Sequence, residues 1–207
     1  GSDAVFVTET ANLTRVAHCL AYALQLNGGA TCIAPRRVFV TPPQEETLCR
    51  LLVEAVRDVQ QTHPEDFQVP VVVIEKLIAI AQQALRDGAE LIYGELPQLP
   101  ASDAASLNMH PLVLRGVKPE MDVARHDIFA PIVSLLSVPN MSSAVEADRV
   151  CPYHLGASVF GAKVDVEYWV EQIRAGCVVI NDIVVPSADP RVSFGGCDQS
   201  GWGSTRG

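Results

Sequence analysis

The sequence predicts an α/β domain of three layers, in which a mainly parallel sheet lies between helices on both faces. Segments with the spacing of strands and of amphipathic helices alternate through most of the 207 residues, the order that builds parallel sheets. Several of the predicted strands are apolar without interruption, as strands buried on both faces are. No internal repeat or low-complexity linker divides the chain, so we predict one domain over residues 1–207.

The amino-terminal third alternates two strands with two helices. Residues 4–7 are an apolar run typical of a buried strand, and residues 13–24 place apolar side chains at helical spacing. Residues 27–29 (Asn-Gly-Gly) end that helix because they tolerate a left-handed backbone. The β-branched and aromatic run at 37–41 predicts a second strand. Thr41 then begins a helix, with a capping hydroxyl, two prolines in the first turn and acids near its positive end.

The remaining two thirds continue the alternation. The apolar stripe of that helix extends to Val59, residues 61–68 are polar and loop-like, and a second stripe over 73–84 predicts a helix that Gly88 ends. Proline, serine and alanine at 95–110 predict a surface connection. The later strands are predicted at 91–93, 111–114, 131–138, 156–160 and 177–180, and the later helices at 142–149 and 166–173, before a glycine- and proline-rich end from 184.

The composition argues against several kinds of partner. The chain has 15 basic and 24 acidic residues, a formal net charge of −9 and no cluster of lysine or arginine, so nucleic acid is not expected to bind. No apolar run approaches the roughly 18 residues of a membrane span. The first residues lack the basic and apolar stretches of a signal peptide. We therefore expect a cytoplasmic protein without a membrane partner.

The six cysteines are spaced widely and irregularly, without a C-x-x-C pair. A chain of this length does not need disulfides for stability, and scattered thiols do not form a zinc motif. The histidines also lack metal-ligand spacing, so no metal site is expected. Most of the cysteines are expected to be small buried side chains in a reduced protein. The six cysteines are Cys19, Cys32, Cys49, Cys151, Cys177 and Cys197.

The surroundings of Cys32 suggest a reactive thiol. It lies in the short connection between a predicted helix and a predicted strand, with glycines at 28–29 before it and Pro35 after it. Small residues let a substrate approach the backbone, and a loop on a rigid scaffold is a common place for a reactive group. Arg36 and Arg37 could favour its thiolate, the reactive form of a thiol. The alternative is a cysteine that fills space beneath the loop.

The residue order of this loop is similar to the active-site segment of aldehyde dehydrogenases, in which a glycine-containing turn precedes the nucleophilic cysteine and an arginine follows it. Arg37 holds the position of that arginine, whereas Ala30 replaces the glutamine that usually lies two residues before the cysteine. Four further segments resemble motifs of the family, in the same order along the chain. They are Gly88–Gly94, Asp127–Pro131, Gly176–Asn181, and Phe194–Gly196 with Ser200–Gly203.

This resemblance implies the catalytic domain of an aldehyde dehydrogenase over residues 1–207, with roles for four side chains. Cys32 would attack an aldehyde and form a thiohemiacetal and then a thioester, which is hydrolysed to a carboxylic acid. Asp127 and Phe129 would contact the nicotinamide-side ribose and ring of NAD or NADP. Asn181 would end the strand that closes one side of the substrate pocket, at the same edge of the sheet as Cys32. Asp127 is one methylene shorter than the usual glutamate, and its alternative role is to cap or solvate a loop.

In that family a cofactor-binding domain and the glutamate that serves as general base precede the residues that Gly1–Val5 resemble, and a strand that pairs with a neighbouring subunit comes last. We therefore expect this chain to be a fragment of a longer, homo-oligomeric protein. Two interpretations follow. The parent protein oxidises aldehydes with NAD or NADP, whereas the fragment alone is a non-catalytic or structural domain that binds no cofactor tightly.

Overall fold

The computed structural model describes residues 1–63, 67–99 and 104–205. Strands and helices alternate along the described chain. The strands are β1 (Asp3–Val7), β2 (Pro35–Val40), β3 (Phe67–Pro70), β4 (Glu90–Tyr93), β5 (Ser106–Met109), β6 (Leu112–Arg115), β7 (Ile132–Ser137), β8 (Tyr153–His154), β9 (Gly156–Phe160), β10 (Cys177–Ile180), β11 (Phe194–Gly195), β12 (Cys197–Asp198) and β13 (Ser204–Thr205). The helices are α1 (Leu13–Gln25), α2 (Pro42–Thr62), α3 (Val71–Arg86), α4 (Asp122–Arg125), α5 (Met141–Asp148) and α6 (Lys163–Val170), with 3₁₀ turns at Leu26–Gly29 and Val185–Ala188.

Seven strands form the central sheet, in the order β10-β9-β1-β2-β7-β6-β4. The first six of these run parallel to one another, and β4 pairs antiparallel with β6 at the edge. Parallel neighbours need crossover connections. Helices provide them here, since α1 leads from β1 to β2 and α6 leads from β9 to β10. The predicted fold class, a mainly parallel sheet in an α/β domain, is confirmed.

Alternate side chains of the central strands point to opposite faces and build two cores. Phe6 and Phe39 lie on one face, with ring centroids 5.3 Å apart, in a cluster completed by buried residues of α3, α4, α5 and α6. Val5 and Val38 lie on the other face, against the buried stripes of α1 and α2. Helices therefore cover both faces of the sheet, which explains why these strands are apolar at successive positions.

A short antiparallel ladder lies where the sequence indicates only loops. β3 pairs with β5, and the two strands fall largely within the predicted polar loop and the predicted surface connection. Four residues are too short a pattern to separate a strand from a loop. The buried side chain of Val69, paired with Leu107, joins the larger core and explains the ladder. Residues 100–103 of the predicted connection lie outside the described residues.

Candidate active site

The amino ends of three neighbouring strands bring the main candidate residues together. β1, β2 and β7 are adjacent and parallel, so the residues that precede them meet at one edge of the sheet. Cys32 lies shortly before β2, and Asp127 and Phe129 lie shortly before β7. This edge is the candidate active site.

The loop that carries Cys32 is short and is held on both sides of the cysteine. Residues 27–29 have positive φ values of 51°, 60° and 68°, the left-handed conformation that the sequence predicts for this turn. After the cysteine, the Ala34 N–H donates to the Thr31 carbonyl at 3.2 Å. The Cys32 side chain is exposed between these two features. The cysteine is therefore presented to solvent, and the alternative of a buried, space-filling thiol does not hold.

The glycine turn packs directly against the segment that carries Asp127 and Phe129. A Cβ atom added to Gly29 would lie 2.7 Å from the Ala130 carbonyl oxygen and 2.8 Å from the Cα atom of Pro131. Glycine is therefore required here both for space and for its positive φ. The two segments of the site are in contact through their backbones.

Asp127 and Phe129 leave an acceptor and a ring available at this edge. Oδ2 of Asp127 accepts a hydrogen bond from the backbone nitrogen of Gly1 at 2.6 Å. Oδ1 is buried without a hydrogen-bond partner among the described residues, which is unfavourable for a carboxylate oxygen. Phe129 is 41% exposed, a large fraction for an aromatic side chain. A ligand with a hydroxyl group and a flat ring would satisfy both features.

Arg36 and Arg37 are buried, and their hydrogen bonds hold the backbone around the site. Arg36 donates to carbonyl groups of the cysteine turn and of the segment before β7. Arg37 donates to Asp148 Oδ1 at 2.6 Å and to the Ser2 carbonyl at 2.7 Å. In the described part of the chain, no hydrogen bond from either guanidinium reaches the thiol of Cys32. Arg36 thus holds the loop, whereas Arg37 ties β2 to α5 and to the start of β1, and their predicted effect on the thiolate stays a prediction.

Asp3 is a buried carboxyl group at the same edge, and no motif in the sequence marks it. Its Oδ1 accepts a hydrogen bond from the Gly156 N–H at 3.1 Å. Burial raises the pKa of Asp3 from 3.8 to about 7, although that hydrogen bond and nearby positive charges oppose the shift. A buried acid that titrates near neutrality is typical of functional sites. It lines a narrow recess together with Ile33, Pro35, Gly156, Cys177 and Phe194.

Asp3→Asn should stabilise the protein at neutral and alkaline pH. The folded state holds a proton on Asp3 up to a pKa of about 7, whereas the unfolded chain releases it near 3.8. The stability from this proton is therefore complete below about pH 4 and is lost as the pH rises towards 7. We expect the variant to exceed the parent by roughly 1–3 kcal/mol at about pH 8, and to lose that advantage at about pH 4. Urea unfolding at both pH values measures the difference, and an equal difference at both would contradict the assignment.

Asn181 lies at the carboxyl ends of the parallel strands, whereas Cys32 lies at their amino ends. β10, β9, β1 and β2 are parallel, and Asn181 follows the last residue of β10 whereas Cys32 precedes the first residue of β2. The prediction that they share an edge is therefore wrong, because parallel strands begin at one edge and end at the other. The Asn181 amide accepts from the Gly161 N–H and donates to the Gly161 carbonyl, both at 2.9 Å. Its place in the substrate pocket stays a prediction that these contacts do not support.

Three further properties of the described residues bear on partners and cofactors. No described helix is both long enough and apolar enough to cross a membrane. Within the same residues, no three histidine, cysteine, aspartate or glutamate side chains are arranged to hold a metal ion. All six cysteines lie in the described part of the chain, and none of them forms a disulfide.

Comparisons with known proteins point to one family. The chain matches the model of the aldehyde dehydrogenase family over residues 1–207. It is 28% identical to the vanillin dehydrogenase of Corynebacterium glutamicum, over 100% of this chain and 43% of the relative. The chain spans 33% to 47% of the length of the curated relatives considered, so it corresponds to part of those proteins.

Solved structures agree with the sequence comparison. An NAD-dependent aldehyde dehydrogenase from Sinorhizobium meliloti superposes with a TM-score of 0.82 and 25% identity, over 99% of this chain and 41% of that chain. The NADP complex of an NADP-dependent glyceraldehyde-3-phosphate dehydrogenase from Bacillus halodurans has the same fold, with a TM-score of 0.84, 23% identity and coverage of 99% and 43%. Because the family model covers the whole chain and the parallel sheet superposes on these enzymes, the chain belongs to the aldehyde dehydrogenase family.

Proposed function

We propose that this chain is the catalytic-cysteine part of an NAD(P)-dependent aldehyde dehydrogenase, which oxidises an aldehyde to a carboxylic acid. The observation that supports the proposal most is the exposed thiol of Cys32 on a loop that contacts the segment of Asp127 and Phe129. A nucleophile, an unsatisfied acceptor and an exposed ring thus belong to two adjoining segments at one edge of the sheet. This combination fits covalent catalysis beside a bound cofactor.

Cys32 supplies the nucleophile in this proposal. Its thiolate attacks the carbonyl carbon of the aldehyde and forms a thiohemiacetal, whose oxyanion the backbone N–H of Cys32 helps to hold. Loss of hydride from the adduct leaves a thioester on the cysteine. Attack by water then releases the carboxylic acid and restores the thiol. The exposed position of the side chain leaves the sulfur open to an approaching substrate.

Asp127 and Phe129 fit the contacts that a nicotinamide cofactor needs. NAD or NADP, when bound, supplies the acceptor for the hydride. Oδ1 of Asp127 is a buried acceptor that lacks a donor in the described part of the chain, and a ribose hydroxyl would provide one. The exposed ring of Phe129 offers a surface for a flat ring to cover. Aspartate keeps the charge and the acceptor oxygens of the glutamate usual in the family motif.

Cys32 should be the most electrophile-reactive of the six cysteines. Its side chain is exposed, whereas Cys49 and Cys151 are buried, and burial raises the pKa of Cys49 to about 11. Since the thiolate is the reactive form, Cys49 should react at least about tenfold more slowly. Brief treatment of the native chain with iodoacetamide, followed by peptide mass spectrometry, measures the order of labelling.

Prior incubation with an excess of aldehyde should slow the labelling of Cys32, because the thiohemiacetal occupies its sulfur. The partly exposed Cys197 in the same sample is the internal control, and its labelling should not change. Preferential labelling of Cys49, Cys151 or Cys197 would argue against Cys32 as the nucleophile. Labelling of Cys32 that aldehyde leaves unchanged would argue against the proposed adduct.

A further inference from the structure

Arg36 connects the two segments of the candidate site. Its side chain is almost fully buried, at 3% exposure. Nη2 donates to the carbonyl of Gly29, in the turn before Cys32. Nη1 donates to the carbonyl of Ala130 at 2.7 Å and makes a longer contact with that of Ile132 at 3.4 Å. One guanidinium group therefore reaches the nucleophile loop on one side and the segment before β7 on the other.

Burying the Arg36 guanidinium costs free energy, so other interactions must offset that cost. Burial lowers the pKa of Arg36 to about 10, while the charges of Asp127 and Asp3 oppose the change. Nε is buried without a hydrogen-bond partner among the described residues. Desolvation of a charged group of this kind costs several kcal/mol, and carbonyl acceptors offset only part of it. The groups that Arg36 holds together explain why a buried cation is accommodated here.

The arrangement depends on the shape of arginine. The guanidinium is planar, and its two Nη atoms point in fixed directions, so it can hold two carbonyls at a fixed separation. A lysine ammonium is a single point on a flexible stem and would not hold the same two groups with the same geometry. The contact is also tight, because a Cβ atom on Gly29 would meet the Ala130 carbonyl at 2.7 Å. Arg36 and the Gly29 contact together set the distance between the loop and the segment.

We infer that Arg36 is a positioning residue that fixes the Cys32 loop against the Asp127–Phe129 segment, and so sets the place of the nucleophile relative to the cofactor. The inference rests on the proposed function, because that function assigns the nucleophile to one segment and the cofactor contacts to the other. Hydride transfer requires reacting atoms about 3–3.5 Å apart, and a misplacement of about 1 Å can cost 10²-fold. Acylation of Cys32 by an activated ester does not use the cofactor segment.

Hydrogen–deuterium exchange on the native chain tests the connection itself. In Arg36→Met, amides of residues 27–34 and 128–132 should exchange at least about tenfold faster than in the parent, while those of α2 keep their rates. Arg36→Lys keeps the charge, and its exchange rates in these segments should lie between those of Arg36→Met and those of the parent. Arg50→Met, which removes an exposed arginine of α2 that pairs with Glu54, is the matched control and should leave both segments unchanged. Parental exchange in both segments, or an increase spread evenly over the whole chain, would overturn the inference.

Kinetic measurements test the consequence of this connection for catalysis. Arg36→Met should lower kcat for aldehyde oxidation by roughly 10- to 100-fold, with ester hydrolysis at Cys32 changed by less than about threefold. An equal loss of both activities would mean that Arg36 supports only the loop, and no loss of either would also overturn the inference. If the unsubstituted protein has no Cys32-dependent activity, the proposed function fails. The exchange experiment still decides whether Arg36 joins the two segments.

Discussion

On the proposed function, Cys32→Ala is expected to reduce aldehyde oxidation at least about 10³-fold, because the covalent adduct can no longer form. The substitution removes one exposed sulfur. The backbone hydrogen bonds that hold this loop are made by other residues, so the fold should be retained. Formation of reduced nicotinamide, followed by its absorbance over a panel of aldehydes, measures the loss. Circular dichroism of the variant confirms that the protein is folded.

The matched control is Cys19→Ala. Cys19 is a partly exposed cysteine of α1 whose sulfur lies 4.0 Å from a carboxylate oxygen of Asp182, and we place it in no catalytic role. Its replacement should change the rate by less than about twofold, as surface substitutions usually do. Activity of Cys32→Ala within about tenfold of the parent would mean that another group supplies the nucleophile.

The central sheet could be predicted from the sequence because each of its elements is marked locally. Residues 4–7 are buried on both faces and therefore read as an uninterrupted apolar run. The helix that follows Thr41 begins at the predicted position, with Pro42 in its first turn. The β3–β5 ladder could not be predicted, because its stability comes from pairing with a segment remote in the sequence and from one buried valine.

The candidate site could be predicted only in part, because a motif identifies residues but does not say at which end of the sheet they lie. The Cys32 loop and the segment of Asp127 and Phe129 meet because both precede parallel strands. Asn181 was expected beside them, yet it follows its strand and so lies at the far edge. Asp3 is not marked by its neighbours in the sequence, because the residues that surround it, such as Gly156 and Cys177, are remote in the chain.

A buried ion pair beside the site is likewise invisible in the sequence. Arg37 of β2 and Asp148 at the end of α5 are 111 residues apart, with Nη1 and Oδ1 at 2.6 Å. Their side chains are 2% and 5% exposed. Arg37 also donates to the Ser2 carbonyl from Nε at 3.2 Å and from Nη2 at 2.7 Å, which ties β2 to the start of β1. Removing the guanidinium would leave the Asp148 charge buried without its main partner.

Arg37→Met should therefore lower the free energy of unfolding by about 3–5 kcal/mol, the usual cost of breaking a buried pair by removing one member. Arg50→Met is the control, because Arg50 pairs with Glu54 at side-chain exposures of 59% and 51%. An exposed pair of this kind contributes about 0.3–0.5 kcal/mol. Urea unfolding followed by circular dichroism measures both differences, and a loss below about 1 kcal/mol in Arg37→Met would contradict the assignment.

The double variant Arg37→Met/Asp148→Asn separates the unpaired charge from the lost packing. If the destabilisation of Arg37→Met comes mainly from the uncompensated Asp148 carboxylate, neutralising it should restore at least about 1–2 kcal/mol. A double variant as unstable as Arg37→Met at about pH 8 would show that the hydrogen bonds of Arg37 to the Ser2 carbonyl, rather than the ion pair, account for its contribution to stability.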